Sequence, residues 1–249
     1  MSPPLKIDFI TVGSLRVPLN VKGLQSWRSK LFSLSHAGDI GTVPDAIGED
    51  DWTYTDEQLQ RIVRPTPEAQ LTIALVGGPL EWNYYSRRLS GNLIVLSTFE
   101  ISEVLQASQI PMENFVLRAA YAHIVYYHVF DKVVPLSGES TLSHQETRGC
   151  LFDLNGNKAD LAVSASRPIL CASCKAKLQH SQTPPRFWTT LDRELARIKK
   201  PLYFRLVDWI RLHPVLALVS TTLFALVVNV GSNAIYDLLK AWASGRAAP

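Results

Sequence analysis

Residues 112–130 read MENFVLRAAYAHIVYYHVF, and how this stretch is read decides the fold. Apolar side chains surround almost the whole helical circumference, and Glu113 and Arg118 are the only fully charged residues. A helix that is apolar nearly all round belongs inside a protein rather than on its surface. The sequence therefore predicts a buried central helix, with the rest of the domain wrapped around it.

Upstream the period shortens to that of strands. Residues 5–12 (LKIDFITV), 70–76 (QLTIALV) and 92–98 (NLIVLST) are short and rich in β-branched residues, with Gly, Pro or Ser nearby. Residues 21–32 are expected to be helical, with Leu24, Trp27, Leu31 and Phe32 on one face. Residues 34–55 read as a polar, Gly- and Asp-rich loop. Thr55 lies three residues before Gln58, a capping-box spacing that opens a helix of about two turns ending at Val63. Residues 100–109 also read as helix. The class is α/β with a mixed sheet.

Downstream, residues 131–186 are loop-rich and hold all three cysteines. Their spacing is His144-x5-Cys150-x20-Cys171-x2-Cys174. Three thiolates and one imidazole fill a zinc tetrahedron without leaving an open position, so the expected Zn2+ is structural. A Cys-x-x-Cys with a third Cys and a nearby His fits a metal site in a reducing compartment better than a disulfide framework. His180 competes with His144 for the fourth place. Lys175 and Lys177 add positive charge that favours thiolates. The polar residues Glu146, Arg148, Asp153, Lys158 and Asp160 are expected mainly to orient the zinc knot. The segment CLFDLNGNKADL (150–161) has the start of a calcium loop, but Gly156 falls at the wrong position and Ser164 stands where a Glu is needed.

The remaining C-terminal sequence changes character. Residues 187–212 interleave basic and aromatic side chains, and residues 215–230 (VLALVSTTLFALVVNV) carry no charge. That run gives about 24 Å of helix, and extension from Leu212 to Tyr236 would cover a bilayer core of about 30 Å. Arg197, Lys199, Lys200, Arg205 and Arg211 precede it, against Lys240 and Arg246 after it, so the positive-inside rule places the N-terminal domain in the cytosol. Met1–Lys6 (MSPPLK) starts no signal peptide, because Asp8 breaks the apolar stretch that follows. The expected layout is a soluble domain at 1–182 with its zinc knot at 131–180, a basic linker at 183–212, a single transmembrane helix at 213–236 and a short tail at 237–249. Asn229 and Asn233, one turn apart, could bond between helices of a homo-oligomer.

The strand, helix, strand order, Asn83-Tyr84-Tyr85-Ser86-Arg87-Arg88 before NLIVLST, the central helix and the CxxCKAKL tail resemble the archaemetzincins, a branch of the metzincin-type zinc peptidases. The resemblance covers about residues 5–180. It implies a metzincin-like fold and a second, catalytic zinc held by HExxHxxGxxH. This chain departs from that motif. His123 and His128 are five apart, about 140° around a helix, and do not converge on one ion. No Glu follows His123.

A P-loop, Gly-x-Gly-x-x-Gly and Gly-x-Ser-x-Gly are absent from the sequence. The net charge of +3 does not point to nucleic acid. The functional expectation is a tail-anchored, zinc-containing pseudoenzyme that contacts the bilayer and binds or senses a protein or small-molecule ligand. The rivals are a divergent zinc-dependent hydrolase and a membrane effector acting through oligomerisation of its C-terminal helix.

Overall fold

A computed structural model describes residues 3–48, 51–139, 142–179 and 181–245. The chain forms two compact units, Met1–Lys200 and Pro201–Pro249. The first is a mixed α/β domain built on a five-stranded sheet in the order β2-β1-β3-β5-β4. Its strands are β1 (Leu5–Val12), β2 (Phe32–Ile40), β3 (Leu71–Val76), β4 (Ser86–Leu89) and β5 (Leu93–Ser97). All neighbours are parallel except the edge strand β4, which runs antiparallel to β5.

Both sheet faces are buried, so the central strands read as continuous apolar runs. Side chains alternate between faces with period two. Ile7 and Phe9, Leu71, Ile73 and Leu75, and Ile94 and Leu96 join the larger core, whereas Ile10, Val12, Ala74, Val76, Leu93 and Val95 join a smaller one. The smaller core is closed by Leu59 and Val63 around α2 (Asp56–Ile62), whose N-cap Thr55 accepts a hydrogen bond from the Gln58 amide as the spacing predicts.

The larger core contains α4 (Met112–Val129), in which fifteen of eighteen residues are buried. The expected central helix is therefore present. It is flanked by α1 (Val21–Gln25), α3 (Ile101–Ala107), α5 (Leu161–Ser166), α6 (Ala172–Leu178) and α7 (Pro185–Leu195).

Three local expectations are corrected. The helix read over 21–32 stops at Gln25, where the Ser26 hydroxyl bonds back to the Gly23 carbonyl and the chain turns. Residues 32–40, read in part as loop, instead form β2, which pairs along the whole of β1. An edge strand with a half-wet outer face alternates weakly, so the sheet pairing decides its state. The boundary read at 182 falls before a helix that packs into the core: Phe187, Leu191 and Leu195 of α7 are buried there. Glu194 of the same helix is 4% exposed and accepts hydrogen bonds from Ser29 Oγ, the Lys30 amide and Tyr121 Oη. Basic composition hid this contact, because the charges lie on the opposite face.

The second unit holds α8 (Leu202–Leu212) and α9 (Pro214–Gly245). Within α9, Pro214–Asp237 is 24 residues long with mean hydropathy 2.0, long and apolar enough to cross a membrane, and little of it is covered. Asn233 Nδ2 donates to Asn229 Oδ1 along this helix, 3.2 Å away.

Candidate metal centre

The segment after α4 is tied to itself by short bridges, His144 to Asp153 and Cys150 to Ile169, rather than by full strands. Gly149, at φ +75°, lets the chain reverse just before Cys150. Its carbonyl then accepts from the Ile169 amide, and the Leu151 amide donates to the Ile169 carbonyl. This presents Cys150 opposite the segment that leads into Cys171. Cys171 sits at the N-terminus of α6 and Cys174 lies one turn inside it. A helical first turn brings both sulfurs to one side, which is why the Cys-x-x-Cys spacing works as a metal clip.

His144 joins them from the other side of the loop, bridging to Asp153. One ligand atom from each of His144, Cys150, Cys171 and Cys174 lies within 4.8 Å of every other, and this is the group of His, Cys, Asp and Glu residues among the described residues that could hold a metal ion. The separations fit zinc. A tetrahedral ion with Zn–S of about 2.3 Å and Zn–N of about 2.0–2.1 Å spaces its sulfurs about 3.8 Å apart and sulfur from nitrogen about 3.6 Å apart. Cys150 Sγ and Cys174 Sγ are 3.8 Å apart, and Cys171 Sγ lies 3.5 Å from His144 Nε2. His180 lies outside the described residues.

The surrounding groups suit metal ligands. With Nε2 facing the sulfurs, His144 Nδ1 donates to the Glu146 carbonyl at 3.0 Å and stands 3.5 Å from Asp153 Oδ1. A ligating histidine is oriented by this kind of hydrogen bond to its other nitrogen. Asp153, 2% exposed, also accepts from the Arg148 and Cys150 amides through Oδ2. That use of Asp153 replaces any calcium role for the loop.

Thiolates are favoured locally: the hydrogen bond from Cys174 is the largest influence lowering the Cys150 pKa, and the Cys171 amide and His144 act in the same direction. The same pairing with Cys150, together with burial, holds Cys174 protonated, so the two sulfurs share a proton that a metal would displace. Burial disfavours the charged His144 ring, but hydrogen bonds to Cys150 and the Glu146 carbonyl outweigh it and raise its pKa.

Other polar residues of the segment divide. Arg148 donates to Ser173 Oγ at 2.6 Å and reaches toward Cys171 Sγ. Lys158 instead bonds Asn83 Oδ1 and pairs with Glu100. Lys175 pairs with Asp192 of α7 at 2.6 Å, and so ties α6 to that helix in addition to any effect on the thiolates.

The two histidines of α4 serve different neighbours. His123 is 5% exposed, and its Nδ1 donates to the Ala119 carbonyl at 2.6 Å. Burial pushes its pKa down to about 3, against that hydrogen bond and helped by the nearby Arg88 and Arg118 charges. The His128 ring lies 4.6 Å from that of Phe187 in α7. Beside His123 a cavity of about 350 Å³ opens between β4, α4 and the metal knot. Sequence reading passed over this cavity and the buried Glu194, since both exist only where distant segments meet.

No family model matches the chain, and no curated protein matches it. Among solved structures it is similar to the crystal structure of archaemetzincin from Methanopyrus kandleri. That match has 14% sequence identity and a TM-score of 0.44, covering 72% of this chain and 97% of that one.

Proposed function

We propose that this chain is a membrane-anchored cytosolic protein whose α/β domain is held by a structural zinc and binds or senses a ligand rather than hydrolysing peptides. The observation that carries this reading is the closed donor set. His144, Cys150, Cys171 and Cys174 offer four ligands, which leaves a tetrahedral ion no position for a reactive water. HExxH is missing from the sequence. His123, the residue nearest to such a role, is followed by no Glu, and the next histidine, His128, lies five residues on rather than four. The anchor is supported by the length and hydropathy of Pro214–Asp237 and by its exposed apolar surface, far more than a soluble chain leaves uncovered. The excess of Lys and Arg upstream of it supports the cytosolic orientation.

The test is metal content and turnover on the full chain in detergent. One zinc per chain, lost together with the fold in Cys171→Ser, with no chelator-sensitive peptide hydrolysis, is the expected result. Two zincs, one of them surviving Cys171→Ser, together with hydrolysis that a chelator stops, would replace this reading with a metallohydrolase.

A further inference from the structure

The cavity beside His123 is bounded by β4 on one side, α4 on another and the metal knot at its floor. Its volume of about 350 Å³ lies in the range of small-molecule sites. Three arginines line it, and their partners differ. Arg87 is neutralised by a two-pronged pair with Asp56. Arg88 and Arg118 are not: among the described residues neither has a carboxylate within ion-pair distance, 4.0 Å.

Arg118 is 2% exposed on the central helix. Its hydrogen bonds go to neutral acceptors, Ser164 Oγ at 2.8 Å and the Leu151 carbonyl at 3.2 Å, and its guanidinium lies 5.9 Å from the Tyr85 ring. Arg88 donates Nη2 to the Leu136 carbonyl and lies 4.6 Å from the Tyr126 ring centre, while its buried Nε has no acceptor among the described residues. Placing two guanidiniums in a partly closed space without a counter-charge is costly. Asp153 also lines the cavity; its Oδ2 accepts from the Arg148 and Cys150 amides, while Oδ1, 3.5 Å from His144 Nδ1, has no hydrogen-bond partner among the described residues.

We propose that this cavity binds a small molecule through an oxyanion group, a phosphate or a carboxylate, held by Arg88 and Arg118. Guanidiniums suit such groups because their planar fork donates in parallel to two oxygens. Arg88 Nε is a buried donor that lacks an acceptor among the described residues. His123 adds selectivity. Since the Ala119 carbonyl can only accept, Nδ1 carries the ring proton and Nε2 is left as an acceptor for a ligand O–H or N–H. The Tyr85 and Phe152 rings in the cavity wall provide apolar surface for the body of the ligand. This inference rests on the binding or sensing reading above and names its ligand class.

The test uses the full chain in detergent and three fluorinated probes that share a ring: 4-fluorophenyl phosphate, 4-fluorobenzoate and neutral 4-fluorobenzyl alcohol, followed by fluorine NMR titration. At least one anion is expected to bind about tenfold or more tightly than the alcohol, and the stronger of the two tells phosphate from carboxylate as the preferred group. Arg88→Gln is expected to weaken that anion about tenfold, Arg88→Lys less, and Arg118→Gln at least as much as Arg88→Gln. Arg118 is buried and its replacement carries a folding risk. Half-buried Arg88 keeps the test decisive, with melting temperature and zinc content as controls. Anions that bind no better than the alcohol, or anion binding unchanged in Arg88→Gln, would overturn the proposal. Zinc content and peptide hydrolysis, measured on the same sample, test the binding reading separately, so the two failures are distinguishable.

Discussion

At the scale of the residue, the metal knot concentrates the stability of a segment with little regular structure. A structural zinc contributes about 10–16 kcal/mol of apparent binding energy in small domains, comparable to a domain's whole net stability of about 5–15 kcal/mol. Cys174→Ser is expected to abolish stoichiometric zinc and with it the cooperative fold, read by metal analysis and denaturant melts. Glu194 is a different kind of hinge point. Replacing it with Ala leaves the donors of Ser29, Lys30 and Tyr121 without their acceptor, at about 3 kcal/mol in total. Glu194→Gln keeps an oxygen in place and should cost less.

His123 gives the domain a signed pH dependence. Its folded pKa is lowered to about 3, below the unfolded value of about 6.5. The unfolded chain therefore takes up the proton first. Stability from the neutral ring is complete above about pH 6.5 and falls with acidification toward about pH 3, with a limiting slope of about 1.4 kcal/mol per pH unit. Melts of wild type and His123→Gln, compared at about pH 7 and about pH 5, should show a smaller acid-induced loss in the variant. Zinc release contributes equally to both chains, so an identical loss would count against the buried neutral ring.

At the scale of the element, α7 is the decisive piece. Its Phe187, Leu191 and Leu195 fill the larger core, Glu194 reaches the central helix and Asp192 holds Lys175 of α6. A chain ending at residue 200 should fold and bind zinc. One ending at residue 182 should expose that core and precipitate or melt many degrees lower, which circular dichroism would report. Equal behaviour of the two truncations would mean that α7 is dispensable. The contrast with β4 is instructive. That strand is four residues long and carries Arg87 and Arg88, so no apolar alternation marks it. It exists because β5 offers it an antiparallel edge, and by existing it lines the cavity with both arginines.

At the scale of the whole molecule, the proposed reading makes the second unit the part that sets location. Deleting residues 201–249 is expected to move the protein from a carbonate-resistant membrane fraction to the soluble fraction while one zinc per chain is retained. Membrane fractionation with metal analysis checks both halves of that statement. A full-length chain that stays soluble would remove the anchor from the account and leave Pro214–Asp237 as a helix needing a protein partner.

The sequence by itself determined what depends on local periodicity and spacing. The central helix was legible because its apolar residues circle the axis, and β1, β3 and β5 because they are short and β-branched. The helix after Thr55 was legible through its cap, the knot through ligand spacing, and the long apolar helix through its uninterrupted run. Tertiary structure alone decided what depends on two distant segments meeting. It turned residues 32–40 into an edge strand by offering them β1, and it drew α7 out of an apparent linker by giving the buried Glu194 three donors. It also set Arg88 and Arg118 around one cavity, although they are thirty residues apart in the chain. Local propensity acts within a few residues, whereas pairing, burial and uncompensated charge are properties of neighbours in space.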